Sequence, residues 1–225
     1  MPKEKQIGLF FGSFNPIHNG HLMIANWMVE YTFIDQVWFV VSPLNPFKKR
    51  QNLLADYHRI ELVNLAINDY PKFKASNIET KLPQPSYTID SLAYIAEQYP
   101  DYHFTLIMGS DQLPEFHRWK NADQILANYR ILVYPRVEDR DAGHVTRDED
   151  REAGNVTRDA KDRECQGSRV TRHELLNHPS IELVTAPIME VSSSFIRNSI
   201  KEGKDVRFYV PQEVWKYMTD MHFYE

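Results

Sequence analysis

Two histidines three residues apart stand in the stretch Gly12-Ser13-Phe14-Asn15-Pro16-Ile17-His18-Asn19-Gly20-His21. An apolar run at residues 7–11 precedes this stretch and a helical pattern from 21 to about 31 follows it. It therefore reads as a turn between a buried strand and a helix N-terminus. Such a junction attracts anions, because unpaired backbone N–H groups and the positive end of the helix dipole face one point. Gly12 lets the backbone come close to a ligand, Gly20 does the same at the helix entrance, and Pro16 stiffens the turn. If the helix begins by His18, both imidazoles lie on one face of its first turn. There they can donate hydrogen bonds to phosphate oxygens, and a charge on either ring would add to the attraction. As a metal pair they would need a third ligand. None stands nearby, so no protein metal cage is expected.

A second stretch of the same character comes late in the chain, Val191-Ser192-Ser193-Ser194-Phe195-Ile196-Arg197. Ser192 can cap a helix, Ser193 and Ser194 offer hydroxyl donors at its start, and Arg197 adds a charged fork one turn later. Between the two stretches, Lys48, the turn Gly109-Ser110-Asp111 and Arg136 each follow a run that reads as a strand. The chain has neither a Gly-Lys-Ser/Thr phosphate loop nor a Gly-x-Gly-x-x-Gly turn.

The elements that must position these residues alternate. β-branched and aromatic runs at 7–11, 36–42, 103–108, 129–134 and 181–184 read as strands, with a short edge strand at 73–78. Helical patterns fall at 21–31, from a cap at Asp56 to about 68, from Ser86-Tyr87-Thr88 to about 99, at 122–128, from Ser192 to about 203, and from Pro211 to about 218. A short helical piece runs on from Asp111 to Trp119. Alternation of this kind predicts an α/β fold, a Rossmann-like doubly wound and mainly parallel sheet with helices on both faces. Ligands of such sheets bind outside the carboxyl ends of the strands, which is where the residues named above fall.

The first stretch resembles, residue for residue, the G-x-F-x-P-x-H-x-x-H motif of the HIGH-type nucleotidyltransferase superfamily, in the form found in nicotinate (or nicotinamide) mononucleotide adenylyltransferases. The second is similar to that superfamily's closing S-S-x-x-I-R element. The resemblance covers about residues 5–136 and 178–220. It implies transfer of AMP from ATP to nicotinate mononucleotide with release of pyrophosphate. His18 and His21 would then hold the α- and β-phosphates, while Gly12, Ser13, Phe14, Ser193 and Ser194 would cradle ATP. Lys48 and Arg197 would take the outer phosphates. Gly109, Ser110 and Asp111 look like the family's turn whose aspartate holds a ribose hydroxyl. Thr88 falls in a loop like the one that recognises the pyridine carboxylate, Trp119 where a ring meets the pyridine, and Arg136 beside the mononucleotide. Mg²⁺ is implied as a cofactor bound through substrate phosphates. Many relatives carry P-P-H-K where this chain reads Pro43-Leu44-Asn45-Pro46-Phe47-Lys48, so no histidine role is carried over to that loop. Two alternatives share these residues: a transferase for nicotinamide mononucleotide or another small phosphate ester, and a catalytically silent nucleotide-binding regulator. Phosphopantetheine adenylyltransferases typically carry T-x-G-H, a poorer match.

Composition sets the outer bounds. The 225 residues suffice for a single nucleotidyltransferase domain, and a net charge of −5 argues against a nucleic-acid-binding surface. No apolar run reaches membrane-spanning length, no signal-peptide core is present at the start, and the lone Cys165 permits no intrachain disulfide. The expectation is a cytoplasmic enzyme of small-molecule substrates, with no membrane partner; a homo-oligomer is compatible with the sequence. Residues 137–172 interrupt the pattern. Ten acidic and eight basic residues are interleaved there without Leu, Ile, Met or an aromatic, and Ala142–Asp148 is echoed by Ala153–Asp159. Such a stretch cannot bury enough surface to order itself, and is expected to be a solvated insertion without function.

Overall fold

The computed structural model describes residues 4–43, 53–136 and 175–225. In chain order its elements are β1 (Lys5–Gly12), α1 (Asn19–Tyr31), β2 (Gln36–Val41), α2 (Asp56–Ile67), β3 (Phe73–Ser76) and α3 (Thr88–Gln98). After them come β4 (Tyr102–Gly109), a 3₁₀ segment (Ser110–Arg118), α4 (Ala122–Asn128), β5 (Arg130–Tyr134), β6 (Ile181–Leu183), α5 (Ser193–Lys201) and α6 (Gln212–Asp220). Lys48 and the charged stretch 137–172 lie outside the described residues.

The strands form one sheet in the order β3-β2-β1-β4-β5-β6, and all five pairings are parallel. This is the doubly wound order. The winding reverses between β1 and β4, which lie side by side although a long stretch of chain separates them. Period-two alternation explains why the central strands read as unbroken apolar runs. Phe10, Phe39, Ile107 and Leu132 face one side, with α1, α2, α5 and α6 packed over them. Leu9, Trp38, Leu106 and Ile131 face the other, under α3, α4 and the 3₁₀ segment. Burial on both faces leaves few polar positions to interrupt the pattern, Thr105 in β4 being one.

Element ends depart from expectation in instructive places. Asp56 does not cap α2. Ala55 occupies the cap position without a side-chain bond, and Asp56 pairs instead with Arg59 one turn on, at 2.6 Å. β3 ends at Ser76, and Ile78 opens a 3₁₀ turn rather than continuing the edge strand. Pro211 sits just before α6 as its cap. The Ser192 cap holds: its hydroxyl accepts from the Phe195 N–H at 3.1 Å.

Candidate active site

The switch point of the sheet puts the end of β1 beside the end of β4. From β1 the chain turns through Ser13 to Ile17 into α1, whose cap is His18. The His18 and His21 rings stack 3.7 Å apart and 25° from parallel. The two residues lock each other, since the His18 N–H donates to His21 Nδ1 at 3.3 Å. With Nδ1 accepting, the His21 proton sits on Nε2, which leaves that nitrogen as the ring's donor. His18 Nδ1 is buried with no hydrogen-bond partner among the described residues.

Neither ring is charged at neutral pH. Burial pushes the His18 pKa down to about 4, and the Arg136 guanidinium adds to the effect. His21 is lowered well below its ordinary value by burial first, then by His18 and Arg136. The desolvation has a visible source: Phe14 and Phe10 present their rings edge-on to His21, at 5.1 and 6.0 Å. The added attraction that a charge on either ring would bring is therefore missing at neutral pH. The protein holds a stacked pair of neutral rings, which can still donate from nitrogen.

The glycines of the first stretch are needed by the loop itself. A Cβ at Gly12 would come 2.8 Å from the Phe14 ring, and one at Gly20 would come 3.1 Å from His18 Nδ1. Both make room for side chains of the same loop. Phe14 takes a left-handed backbone conformation (φ 43°) and tucks its ring into the core at 1% exposure. Of Phe14, only main chain remains to meet a nucleotide.

The outer side of this loop is held carbonyl by carbonyl. Arg197 Nη1 donates to the Asn15 carbonyl at 2.7 Å, and Ser193 Oγ to the Pro16 carbonyl at 2.9 Å. Arg197 Nη2 also reaches Ser194 Oγ at 3.2 Å. The two stretches singled out from the sequence thus meet, 182 and 177 residues apart along the chain. Asn15 Oδ1 accepts from the Leu54 N–H and the Tyr224 hydroxyl, at 3.1 and 2.8 Å.

Arg59 is the functional candidate that sequence reasoning missed. It is fully buried, and its guanidinium donates to the carbonyls of Ser13, Ser42 and Leu54 at 2.7, 2.8 and 3.0 Å, besides its pair with Asp56. One side chain thereby joins the loops after β1 and β2 to the start of α2. The only local signal was an arginine amid apolar positions of α2.

On the β4 side, the Arg136 N–H donates to Ser110 Oγ at 2.9 Å, and Arg136 Nη1 lies 3.3 Å from Asp111 Oδ2. Gly109 is needed for this approach, because a Cβ there would come 2.3 Å from Asp111 Oδ1 and 2.8 Å from Arg136 Cδ. Thr88 is the first residue of α3, and Trp119 ends the 3₁₀ segment with its ring 5.2 Å from Phe116. Their neighbours are tied together: Lys120 Nζ pairs with Asp90 at 2.8 Å and lies 4.8 Å from the centre of the Tyr87 ring. Cavities of about 580 and 450 Å³ open elsewhere, the first beside Trp27 and Phe73 and the second beside Gln6 and Tyr102. Neither is lined by His21, Asp111 or Arg197, so converging donors define the candidate site rather than enclosed volume.

Among the described residues no group of three or more His, Cys, Asp or Glu could hold a metal ion. No helix is long and apolar enough to cross a membrane.

Comparison with known proteins shows what the chain is similar to. Residues 9–199 match the family described as cytidylyltransferase-like. The chain is 46% identical over 220 residues to a "Probable nicotinate-nucleotide adenylyltransferase" of Flavobacterium psychrophilum, covering 98% of this chain and 99% of that protein. A protein of the same description from Bacteroides fragilis is 39% identical over 216 residues, covering 96% and 92%. In fold the chain resembles the Plasmodium falciparum nicotinic acid mononucleotide adenylyltransferase complexed with NaAD. The TM-score is 0.71 at 20% identity, over 98% of this chain and 97% of that one.

Proposed function

We infer the activity from one premise: the chain belongs to the cytidylyltransferase-like family. Within it, the protein is a nicotinate-nucleotide adenylyltransferase, which transfers AMP from ATP to nicotinate mononucleotide and releases pyrophosphate and the deamido-NAD dinucleotide. The observation that carries the reading is the fastening of Ser193 and Arg197 onto the loop that leads into His18 and His21. It brings two stretches suited to phosphate onto one helix N-terminus.

An oxygen of the mononucleotide phosphate attacks the α-phosphorus of ATP in line. The bond from that phosphorus to the β-bridging oxygen breaks, and pyrophosphate leaves with the electron pair. Both reactants are anions, so the protein must align them and answer the charge that grows on the leaving group. The neutral rings of His18 and His21 suit this task, because donors fixed in place need no rearrangement as charge develops. Gly12, Ser13 and Phe14 offer main chain to the nucleotide. Ser194 and the unused guanidinium hydrogens of Arg197 lie at the same loop, with Lys48 expected on the outer phosphates. Asp111, carried by the Gly109–Ser110 turn, is positioned for a ribose hydroxyl. Arg136, within electrostatic reach of both histidines, suits the second anion. Thr88 and Trp119 flank the base.

Mg²⁺ would screen the phosphates when bound to them. The donor set fits that division of labour, since imidazole and guanidinium hydrogens serve the anion and leave a hard cation to phosphate oxygens and water. The chain is read as one such domain spanning residues 1–225, working in the cytoplasm on ATP and a pyridine mononucleotide.

The acid is expected as acceptor over the amide. A carboxylate accepts N–H donors on both oxygens, whereas the amide turns its NH₂ toward one of them and leaves it unpaired. A pyrophosphate-release assay with ATP and a panel of nicotinate mononucleotide, nicotinamide mononucleotide and phosphopantetheine tests the reading. The highest kcat/KM should fall on nicotinate mononucleotide. Equal values for acid and amide would reassign the specificity, and nucleotide binding without pyrophosphate release would leave a silent regulator.

A further inference from the structure

The turn after β3 buries a carboxyl group that has no part in the reaction inferred above. Glu79, in the 3₁₀ turn after β3, is only 3% exposed. Its Oε1 accepts from Ser91 Oγ of α3 at 2.6 Å, and the Ser42 side chain at the end of β2 bonds the same carboxyl group. The Glu79 carbonyl accepts from Gln84 Nε2 at 2.9 Å, which folds the chain after the turn back over the residue. Ser42 is itself fixed, its N–H bonded to the Gly12 carbonyl at 2.9 Å and its carbonyl to Arg59 at 2.8 Å. The Ser91 N–H donates to the Tyr87 carbonyl at 3.1 Å, next to Thr88. A continuous run of hydrogen bonds therefore leads from Gly12 through Ser42, Glu79 and Ser91 to Tyr87.

We propose that Glu79 is a positioning residue that fixes the loop 84–88, and with it the start of α3, relative to the phosphate-binding loop. The proposal rests on the function inferred above, because that reading gives the two loops different substrates. Burial of a carboxyl group is costly, and an apolar side chain of similar size would fill the space more cheaply. What the carboxyl adds is direction, since it binds hydroxyls from two different elements, Ser42 after β2 and Ser91 of α3. Burial raises its pKa while the Ser42 and Ser91 hydroxyls lower it, as expected of a group held by donors on both sides. The phosphate-binding loop has separate supports in Arg59, Arg197 and Tyr224. The loop at 84–88 has fewer, so loss of Glu79 should be felt on the mononucleotide side.

The test compares Glu79→Leu with Glu79→Gln in steady-state kinetics. Gln keeps an acceptor oxygen and adds a donor that a serine hydroxyl can accept, so it should preserve the run of bonds. For Glu79→Leu the KM for nicotinate mononucleotide should rise ~10-fold, the scale of a modest misplacement of a binding group, with the KM for ATP changed less than about twofold. Glu79→Gln should return the mononucleotide KM to within about threefold of wild type. A folded Leu variant with both KM values unchanged, or with both raised equally, overturns the proposal. If the Leu variant does not fold, Ser91→Ala is read the same way, with a rise of about threefold expected. Wild-type protein that fails to turn over this substrate pair counts against the inferred function alone. Amide hydrogen exchange at 86–91 then decides on Glu79: about tenfold faster exchange in Glu79→Leu (or Ser91→Ala) supports it, and unchanged exchange overturns it.

Discussion

The loop from Ser13 to Pro16 and the stretch from Ser86 to Thr88 both offer main chain at a helix N-terminus, but they are held by different means. The first has the carbonyls of Ser13, Asn15 and Pro16 bound from behind by Arg59, Arg197 and Ser193. The second depends on the Glu79–Ser91 bond and on a half-exposed ion pair between Lys120 and Asp90. Ser86 Oγ, in the same stretch, is buried with no partner among the described residues. The difference matches the work proposed for each half. Charge that develops during bond breaking is best met by donors that cannot move, whereas a base can be gripped by elements that settle around it.

The comparison is broken most directly at the histidines. His18→Ala or His21→Ala should lower turnover by ~10²–10³, the scale for losing one fixed transition-state donor, and leave the melting temperature at neutral pH nearly unchanged. Near-wild-type turnover in either variant would remove that ring from the mechanism. Next comes Arg59→Met, which strips three carbonyls of their donor and leaves Asp56 unpaired. About 4 kcal/mol of stability should be lost, as when one side of a buried polar network is removed. Denaturant unfolding measures it, and a loss under 1 kcal/mol would mean that water replaces the guanidinium.

A third expectation concerns acid. The unfolded chain takes up a proton at His18 near 6.5, but the folded protein does so only near 4. Between those values the unfolded state binds more protons, so stability is full above 6.5 and falls as pH drops toward 4. The loss attributable to His18 is about 3 kcal/mol. It should show as a shallower decline in His18→Gln than in wild type; parallel curves for the two proteins would place the titration elsewhere. The smallest effects belong to the loosely held half. Trp119→Ala should raise the KM for the mononucleotide ~10-fold, the order of one base stacking contact, and spare ATP. Lys120→Ala should cost less than about 0.5 kcal/mol, because its ion pair is exposed. Equal weakening of both substrates by Trp119→Ala would deny it a place at the base.

The firmly held half was also the half most legible in the sequence. Local order spells out a strand, a turn and a helix start, and the two stretches that meet there each carry their own chemistry. The doubly wound sheet was legible too, because strands buried on both faces leave unmistakable apolar runs. Arg59 was not. Its partners Ser13, Ser42 and Leu54 come from separate stretches of chain, and no periodicity within α2 announces that three carbonyls will converge on one of its residues. Glu79 escaped for a similar reason, since a short turn gives no sign of which side will be covered. The burial that keeps His21 neutral includes the Phe10 and Phe14 rings against it, which the spacing of the two histidines does not show.

The hydrogen bonds that close the proposed phosphate site also bear on how the protein comes into being. Ser193, Arg197 and Tyr224 reach back 177, 182 and 209 residues to a loop made near the start of the chain. On the ribosome, β1 to β5 can pair while these partners are still to be synthesised, so a half-made chain would carry a sheet but no finished cradle for a triphosphate. Bound ATP would then favour only molecules in which Ser193, Arg197 and Tyr224 have reached the loop at 13–16.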